Sequence, residues 1–235
     1  MSEETEATKP RSDLGIRTVS GVAMMAVTAT AIWLGGYVFT IFVALIAIGL
    51  LREWQLLVAA ITQSPMLRLA WMVAGILYIG TASALLAVLR DTGQTDALLA
   101  FIGVVIATDT GAYFAGRTFG GPKIAPSISP SKTWSGLAGG MVSSGFFLAS
   151  FAYSAQGQIW PWAFAIGAQL AVIAQAGDFF ESWMKRRAGV KDSGNFIPGH
   201  GGLFDRLDGL LPVVIIGAFG IMFSAWTTGR LAALT

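Results

Sequence analysis

Long apolar stretches separated by short polar ones dominate the pattern along this chain. Because an α-helix needs about 20 consecutive apolar residues to cross a bilayer, the pattern predicts membrane-spanning helices. The second stretch is the shortest, and residues 55–61 could extend it or lie along the membrane interface. We expect about seven spans, within a range of six to nine, at residues 18–34, 37–51, 69–89, 96–115, 133–153, 159–179 and 210–228.

The fold class that follows is an all-α polytopic membrane protein. Apolar residues make up 54% of the chain and charged residues only 12%, whereas soluble domains carry about 25% charged residues. A net charge of +2 is too small to indicate a nucleic-acid partner. We expect a disordered cytoplasmic tail at residues 1–17, followed by one membrane domain at residues 18–235.

Lysine and arginine fall mainly on one side of the predicted spans. With the N-terminus inside, the outer segments contain only Arg90 and Arg230. The inner segments contain Lys9, Arg11, Arg17, Arg52, Arg68, Arg117, Lys123, Lys132 and the charged run at residues 182–208. Since cytoplasmic loops are enriched in cations, we expect a cytoplasmic N-terminus and charged loops on the cytoplasmic side. The membrane itself is expected to be a bacterial-type cell membrane.

The charged run follows the sixth predicted span and contains the first candidate for chemistry. Asp178, Ser182 and Lys185 are spaced i, i+4 and i+7, so a continuing helix places them on one face. An acid, a hydroxyl and a cation in that order can bind a metal–phosphate complex. The alternative is a helix end whose charged side chains reach the membrane surface.

A glycine-rich segment, IPGHGGLFDRLDG, continues this run and contains His200, the only histidine. Its glycines allow the backbone to approach a phosphate closely, and we expect His200 to contact phosphate. Asp205 and Asp208 are three residues apart and face the same way if a helix begins there. Carboxylate oxygens suit Mg²⁺.

A second polar constellation lies at residues 107–140. Asp109, Tyr113 and Gly116 share one face of the fourth span, and an acid within a span is either functional or held by a neighbouring helix. Hydroxyls and a cation follow in the loop up to Thr133, and Ser131 is expected to cap the fifth helix. Both constellations are expected on the same side of the membrane, so residues 107–136 and 175–209 could form one site.

These motifs are similar to those of a known family. The pattern S-x-x-K-R-x-x-x-x-K-D-x-x-x-x-x-P-G-H-G-G-x-x-D-R-x-D, from Ser182 to Asp208, resembles the signature of phosphatidate cytidylyltransferases. D-x-x-A-Y-x-x-G from Asp109 and I-S-P-x-K-T-x-x-G from Ile128 resemble the family as well. The resemblance covers roughly the second half of the chain. It departs at Ser135, where the family often has glutamate, which puts a carboxylate role there in doubt.

The resemblance implies transfer of CMP from CTP to phosphatidic acid, with release of pyrophosphate. It implies Mg²⁺, with or without a second cation, held by Asp178, Asp205 and Asp208, and membrane lipids as partners; a homodimer would be consistent with the family. Ser182 and Lys185 would contact phosphates, completing a catalytic set with Asp178 and Asp205. Further candidates for substrate binding are Lys123, Ser129, Lys132, Thr133, Arg186, Lys191, His200 and Arg206.

Two other functions remain as alternatives. A CTP-dependent prenol or dolichol kinase would also join a nucleotide to a membrane lipid, although the complete signature argues against it. An ion-coupled transporter could use Asp109 and Asp178. Transporters place such charges near the bilayer midplane beside broken helices, whereas most charges here lie at the cytoplasmic edge of the predicted spans.

Overall fold

The computed structural model describes residues 12–157, 161–194 and 201–227. Seven long helices, one short helix and a two-stranded sheet make up this part of the chain. The elements are α1 (Ser12–Leu34), α2 (Gly36–Ile61), α3 (Pro65–Asp91), α4 (Thr95–Phe119), β1 (Lys123–Ala125), β2 (Ser129–Thr133), α5 (Trp134–Gln156), α6 (Pro161–Ala188), α7 (Phe204–Leu207) and α8 (Leu210–Thr227).

The predicted polytopic helical fold is confirmed. Six helices (α2 to α6 and α8) are long and apolar enough to cross a membrane, while the apolar part of α1, Thr18–Leu34, is shorter. Residues 55–61 extend α2 instead of forming a separate interfacial segment. Helix α1 begins at Ser12, earlier than predicted, and the rest of the predicted tail, residues 1–11, lies outside the described residues.

The loop between α4 and α5 differs from the prediction because part of it forms a hairpin. Strands β1 and β2 pair antiparallel, with Lys123 opposite Thr133 and Ala125 opposite Ser129. Prolines at positions 122, 126 and 130 prevent the chain from continuing as a helix. Cross-strand hydrogen bonds therefore satisfy the backbone between the end of α4 and the start of α5.

Small residues bring α4 and α5 into close contact. A Cβ atom on Gly111 would lie 2.6 Å from the carbonyl oxygen of Gly139, and one on Gly139 would lie 2.8 Å from that of Gly111. Such small-residue contacts are common between helices in lipid. This close contact fixes the hairpin at the end of the α4–α5 pair.

An aromatic cluster around Trp54 joins α2, α3, α6 and α7. The ring of Trp54 in α2 lies 6.0 Å from that of Trp71, 6.3 Å from Tyr78, 5.9 Å from Phe180 and 5.8 Å from Phe204. Its indole Nε1 donates a hydrogen bond of 2.8 Å to the carbonyl oxygen of Trp71. The cluster thereby fixes α7 against α2, α3 and α6.

Arg90 lies at the end of the bundle opposite the hairpin. Its Nε donates to the carbonyl oxygen of Ile32 over 2.7 Å, and its Nη2 donates to that of Trp33 over 3.2 Å. The C-terminal ends of α1 and α3 therefore lie together. The C-terminal half of α2, through Glu53, and the C-terminal turns of α6, through Lys185, instead contact the charged segment at residues 201–208, as alternating spans require.

Candidate active site

The C-terminal part of α6 carries the first group of site residues. The helix continues to Ala188, so the predicted shared face of Asp178, Ser182 and Lys185 is confirmed. Ser182 Oγ donates a 3.3 Å hydrogen bond to Asp178 Oδ1. The ammonium of Lys132, at the end of β2, forms an ion pair with Asp178 Oδ2. The hairpin and α6 thus meet at this carboxylate.

Three carboxylates come together beside this pair. Each of Asp178, Glu181 and Asp208 offers an oxygen within 4.8 Å of those of the other two. Gly177 makes this approach possible, because a Cβ there would overlap the carbonyl oxygen of Asp208 and lie 2.8 Å from Pro212 Cγ. Side chains from α6 and from Asp208, which lies between α7 and α8, therefore share one acidic cluster.

This acidic cluster fits a divalent cation. Glu181 Oε1 is buried and has no hydrogen-bond partner among the described residues, and leaving such an oxygen unpaired is costly. Three carboxylates from two segments provide the hard oxygen ligands that Mg²⁺ prefers. The residues present could hold the ion that the resemblance implies.

The protonation of Asp208 depends on the same cluster. Burial, together with the negative charge of Asp178, raises the pKa of Asp208 to about 8, although the amide of Gly209 and the charge of Lys132 act in the opposite direction. Its Oδ1 accepts a 2.7 Å hydrogen bond from the Gly209 amide. A divalent cation would therefore compete with a proton for this carboxylate near neutral pH.

Lys185 and Asp205 form the second half of the site. Lys185 Nζ lies 2.6 Å from Asp205 Oδ1 and 2.8 Å from Glu181 Oε2. Asp205 Oδ2 accepts hydrogen bonds from the amides of Ser193 and Gly202, at 3.0 and 2.9 Å. Burial opposes ionisation of Asp205, but these hydrogen bonds hold its pKa well below its usual range.

Of the predicted metal ligands, the structure brings Asp178 and Asp208 together in the acidic cluster, with Glu181 as the third member. Asp205 lies outside that cluster and is joined to it through Lys185, which contacts both Asp205 and Glu181. Its role as a metal ligand stays a prediction. All four carboxylates lie at the same end of the bundle, as a single site requires.

Comparison with known proteins identifies the family. Residues 60–224 match the sequence profile of the cytidylyltransferase family. The chain belongs to this family. It is 34% identical to the phosphatidate cytidylyltransferase of Brucella suis biovar 1, over 91% of this chain and 95% of that protein. It is 36% identical to that of Rickettsia bellii, over 86% of this chain and 88% of the relative. The resemblance seen in the motifs is confirmed.

In this cytidylyltransferase-family chain, the hairpin residues have specific structural partners. Thr133, not Ser131, caps α5, and its Oγ1 accepts a 3.1 Å hydrogen bond from the Gly136 amide. The prediction for Ser131 is wrong because β2 continues through Thr133. Ser135, where the family often has glutamate, donates to the carbonyl oxygen of Gly120. Ser129 is buried in β2.

The remaining predicted substrate ligands that the structure describes lie in β1, in α6, in α7 and in the segment that follows α6. Arg186 Nε donates to the carbonyl oxygen of Ile128 over 3.3 Å, which joins α6 to the hairpin. Arg186 is exposed, as are Lys123, Lys191 and Arg206, and His200 lies outside the described residues. Asp109 is close enough to interact electrostatically with Asp178 and Lys132. Substrate contacts by these side chains stay predictions.

Sequence reasoning missed two acids, Glu53 and Glu181. Glu181 lies three residues after Asp178 in α6, a spacing that places both on one helix face and could have identified it. Glu53 follows Arg52 and resembles an ordinary charged end of a span. Glu53 is instead 3% exposed. The one signal in the sequence that could have identified it was the cost of placing an acid within an apolar helix.

Proposed function

We propose that this protein transfers CMP from CTP to phosphatidic acid and forms CDP-diacylglycerol and pyrophosphate. The observation that carries the proposal is the acidic cluster of Asp178, Glu181 and Asp208, flanked by Lys132 and Lys185, in a chain of the cytidylyltransferase family. The relatives named phosphatidate cytidylyltransferase support the lipid substrate.

The charges of the site suit two polyanionic substrates. CTP and phosphatidic acid repel one another, so catalysis requires positive charge where their phosphates meet. Asp178, Glu181 and Asp208 would hold Mg²⁺, and Asp205 is a further ligand predicted from the resemblance. The bound ion would neutralise the polyphosphate and orient it. Lys132 and Lys185 would supply additional positive charge, with the Ser182 hydroxyl as a hydrogen-bond donor.

The reaction needs little proton transfer from the protein. An oxygen of the lipid phosphate attacks the α-phosphorus of CTP and forms a new phosphorus–oxygen bond. The bond from that phosphorus to the bridging oxygen of pyrophosphate breaks, and its electron pair leaves with pyrophosphate. Because the attacking phosphate is already an anion at neutral pH, no strong general base is required. Positioning and charge neutralisation therefore account for the catalysis.

The bundle also suits the locations of both substrates. Six apolar helices make the chain an integral membrane protein, so the diacylglycerol tails can stay in lipid while the headgroup reaches the charged end of α6. CTP would arrive from the cytosol, because the cation-rich loops lie at that end. A cysteine introduced at Lys191 tests the orientation, since the chain contains no cysteine and a membrane-impermeant thiol reagent should label it only after the cells are opened. Labelling of intact cells would contradict a cytoplasmic site.

The activity can be tested with purified protein in detergent, supplied with CTP, phosphatidic acid and Mg²⁺. We expect CDP-diacylglycerol and pyrophosphate in equal amounts. Release of CDP with a phosphorylated prenol or dolichol, when those lipids are supplied, would instead indicate the kinase alternative. Absence of any CTP-dependent product with phosphatidic acid would contradict the proposal. Light scattering of the same sample determines whether the homodimer that would be consistent with the family forms.

A further inference from the structure

A buried acid in α2 organises the segment that carries Asp205. Glu53 is 3% exposed. Its Oε1 accepts a hydrogen bond from the amide of Leu203, and its Oε2 accepts one from the amide of Phe204, both at 2.8 Å. Ser193 Oγ lies 2.9 Å from Oε2 as a further donor. One carboxylate from the first half of the chain therefore binds residues on both sides of positions 195–200.

The glycines of the charged segment leave space for this carboxylate. A Cβ atom on Gly194 would lie 2.6 Å from Glu53 Oε1, and one on Gly202 would lie 2.8 Å from Oε2. Both distances are too short for a carbon atom against an oxygen, so a side chain at either position would displace Glu53. The backbone on both sides is thus shaped around the acid.

Glu53 is connected to the site through shared neighbours. Ser193 Oγ lies 3.1 Å from Asp205 Oδ2 as well as 2.9 Å from Glu53 Oε2. Ser193 and Gly202 also donate their amides to Asp205, which in turn binds Lys185. The position of Lys185 beside the acidic cluster thus depends on backbone that Glu53 holds.

We propose that Glu53 is a positioning residue for CMP transfer, which fixes Ser193 and the backbone of Leu203 and Phe204 and through them the Asp205–Lys185 pair. The inference rests on the proposed function. It is independent of the match to the family profile, which begins at residue 60. Glu53 is buried beneath the segment and contacts backbone amides and a serine hydroxyl, so it acts on the reaction through Asp205 and Lys185.

The test compares Glu53→Gln with wild type in two measurements. Glutamine has the same shape but offers one acceptor oxygen, so its amide group must face at least one backbone N–H donor. We expect kcat to fall by roughly 10- to 100-fold, with KM for CTP changed by less than about threefold, because the lost contacts position groups that act in the transition state. Asp91→Asn, an acid-to-amide change at an exposed position of α3, is the matched control and should keep wild-type values.

The second measurement is hydrogen exchange followed by mass spectrometry, which does not require activity. In Glu53→Gln the peptide covering residues 201–208 should exchange at least about tenfold faster, because one of the Leu203 and Phe204 amides loses its acceptor and faces the glutamine NH2 instead. Peptides from α4 and α5 should be unchanged. Faster exchange throughout the bundle, or a kcat within twofold of wild type, would overturn the proposal and leave Glu53 a merely structural residue.

Ser193→Ala provides a second variant in case Glu53→Gln does not fold. It removes one donor shared by Glu53 and Asp205, and we expect a smaller fall in kcat, about three- to tenfold. Unchanged kcat in Ser193→Ala would then overturn the proposal. If wild type forms no CDP-diacylglycerol, the proposed function fails, while the exchange measurement still reports whether Glu53 holds the segment.

Discussion

The Lys185 ammonium lies between two carboxylates, and replacing it tests whether the site is held together by charge. Its Nζ is 2.8 Å from Glu181 Oε2 and 2.6 Å from Asp205 Oδ1. The side chains are 15%, 1% and 11% exposed for Lys185, Glu181 and Asp205. Methionine has a similar length and helix propensity but carries no charge. Lys185→Met therefore removes both ion pairs without shortening the side chain much.

The expected loss is large because neither carboxylate is well hydrated. Removing one partner of a buried ion pair costs about 3–5 kcal/mol. Since the Lys185 side chain retains some contact with water, we take the lower end, about 3 kcal/mol, which is about a 100-fold change in the ratio of folded to unfolded protein. If Lys185 also stabilises charge in the transition state, kcat of the folded variant should fall by a further factor of about 100.

The assay measures two quantities on each purified variant in detergent. Thermal unfolding gives stability, and incorporation of labelled CMP into lipid gives kcat. Lys185→Met/Asp205→Asn should be less destabilised than the sum of the two single variants, because the double change leaves no unpaired charge on the Lys185–Asp205 pair. A Lys185→Met protein with wild-type stability and a kcat within threefold of wild type would refute this account of the site.

Three further predictions concern the acidic cluster. Asp178→Asn should nearly abolish turnover in folded protein, whereas Arg90→Ala, at the other end of the bundle, should keep kcat per folded molecule. Equal losses of kcat in the two variants would show that the boundary assigned to the site is wrong. Because the pKa of Asp208 is about 8, a proton competes with Mg²⁺ below that pH, and Mg²⁺ affinity should rise up to about tenfold per pH unit until about pH 8. Isothermal titration at several pH values checks this, and an equally steep dependence in Asp208→Asn would contradict it. Gly177→Ala should weaken Mg²⁺ binding because its Cβ overlaps the Asp208 carbonyl oxygen. Gly80→Ala, where a Cβ meets nothing within 4 Å, is the control and should bind Mg²⁺ normally. Equal Mg²⁺ binding by both variants would show that close approach at Gly177 is not needed.

The helical part of the fold could be predicted because lipid imposes a simple rule. Every spanning segment must be apolar and must satisfy its own backbone hydrogen bonds, so span positions follow from composition alone. The face shared by Asp178, Ser182 and Lys185 could also be predicted, since helical periodicity continues to Ala188. The hairpin at residues 123–133 could not be predicted, because its pairing depends on where α4 ends and α5 begins.

The partners of the charged residues were the least predictable part of the site. Spacing places Asp205 and Asp208 near each other, but the structure directs Asp208 to the acidic cluster and Asp205 to Lys185. These choices depend on contacts between distant segments, such as Gly177 against Asp208. Glu53 shows the same limit, because its hydrogen bonds reach residues 140 to 151 positions away in the chain.

The central claim is that two acids of α6 and Asp208, between α7 and α8, together hold one divalent cation for CMP transfer. Mn²⁺ titration followed by electron paramagnetic resonance, in the presence of CTP, tests it most directly. Asp178→Asn, Glu181→Gln and Asp208→Asn should each lose tight Mn²⁺ binding and CDP-diacylglycerol formation together, while Asp91→Asn keeps both. The Asp205→Asn titration decides whether Asp205 is a further ligand. Wild-type Mn²⁺ binding and turnover in the three cluster variants would contradict the claim.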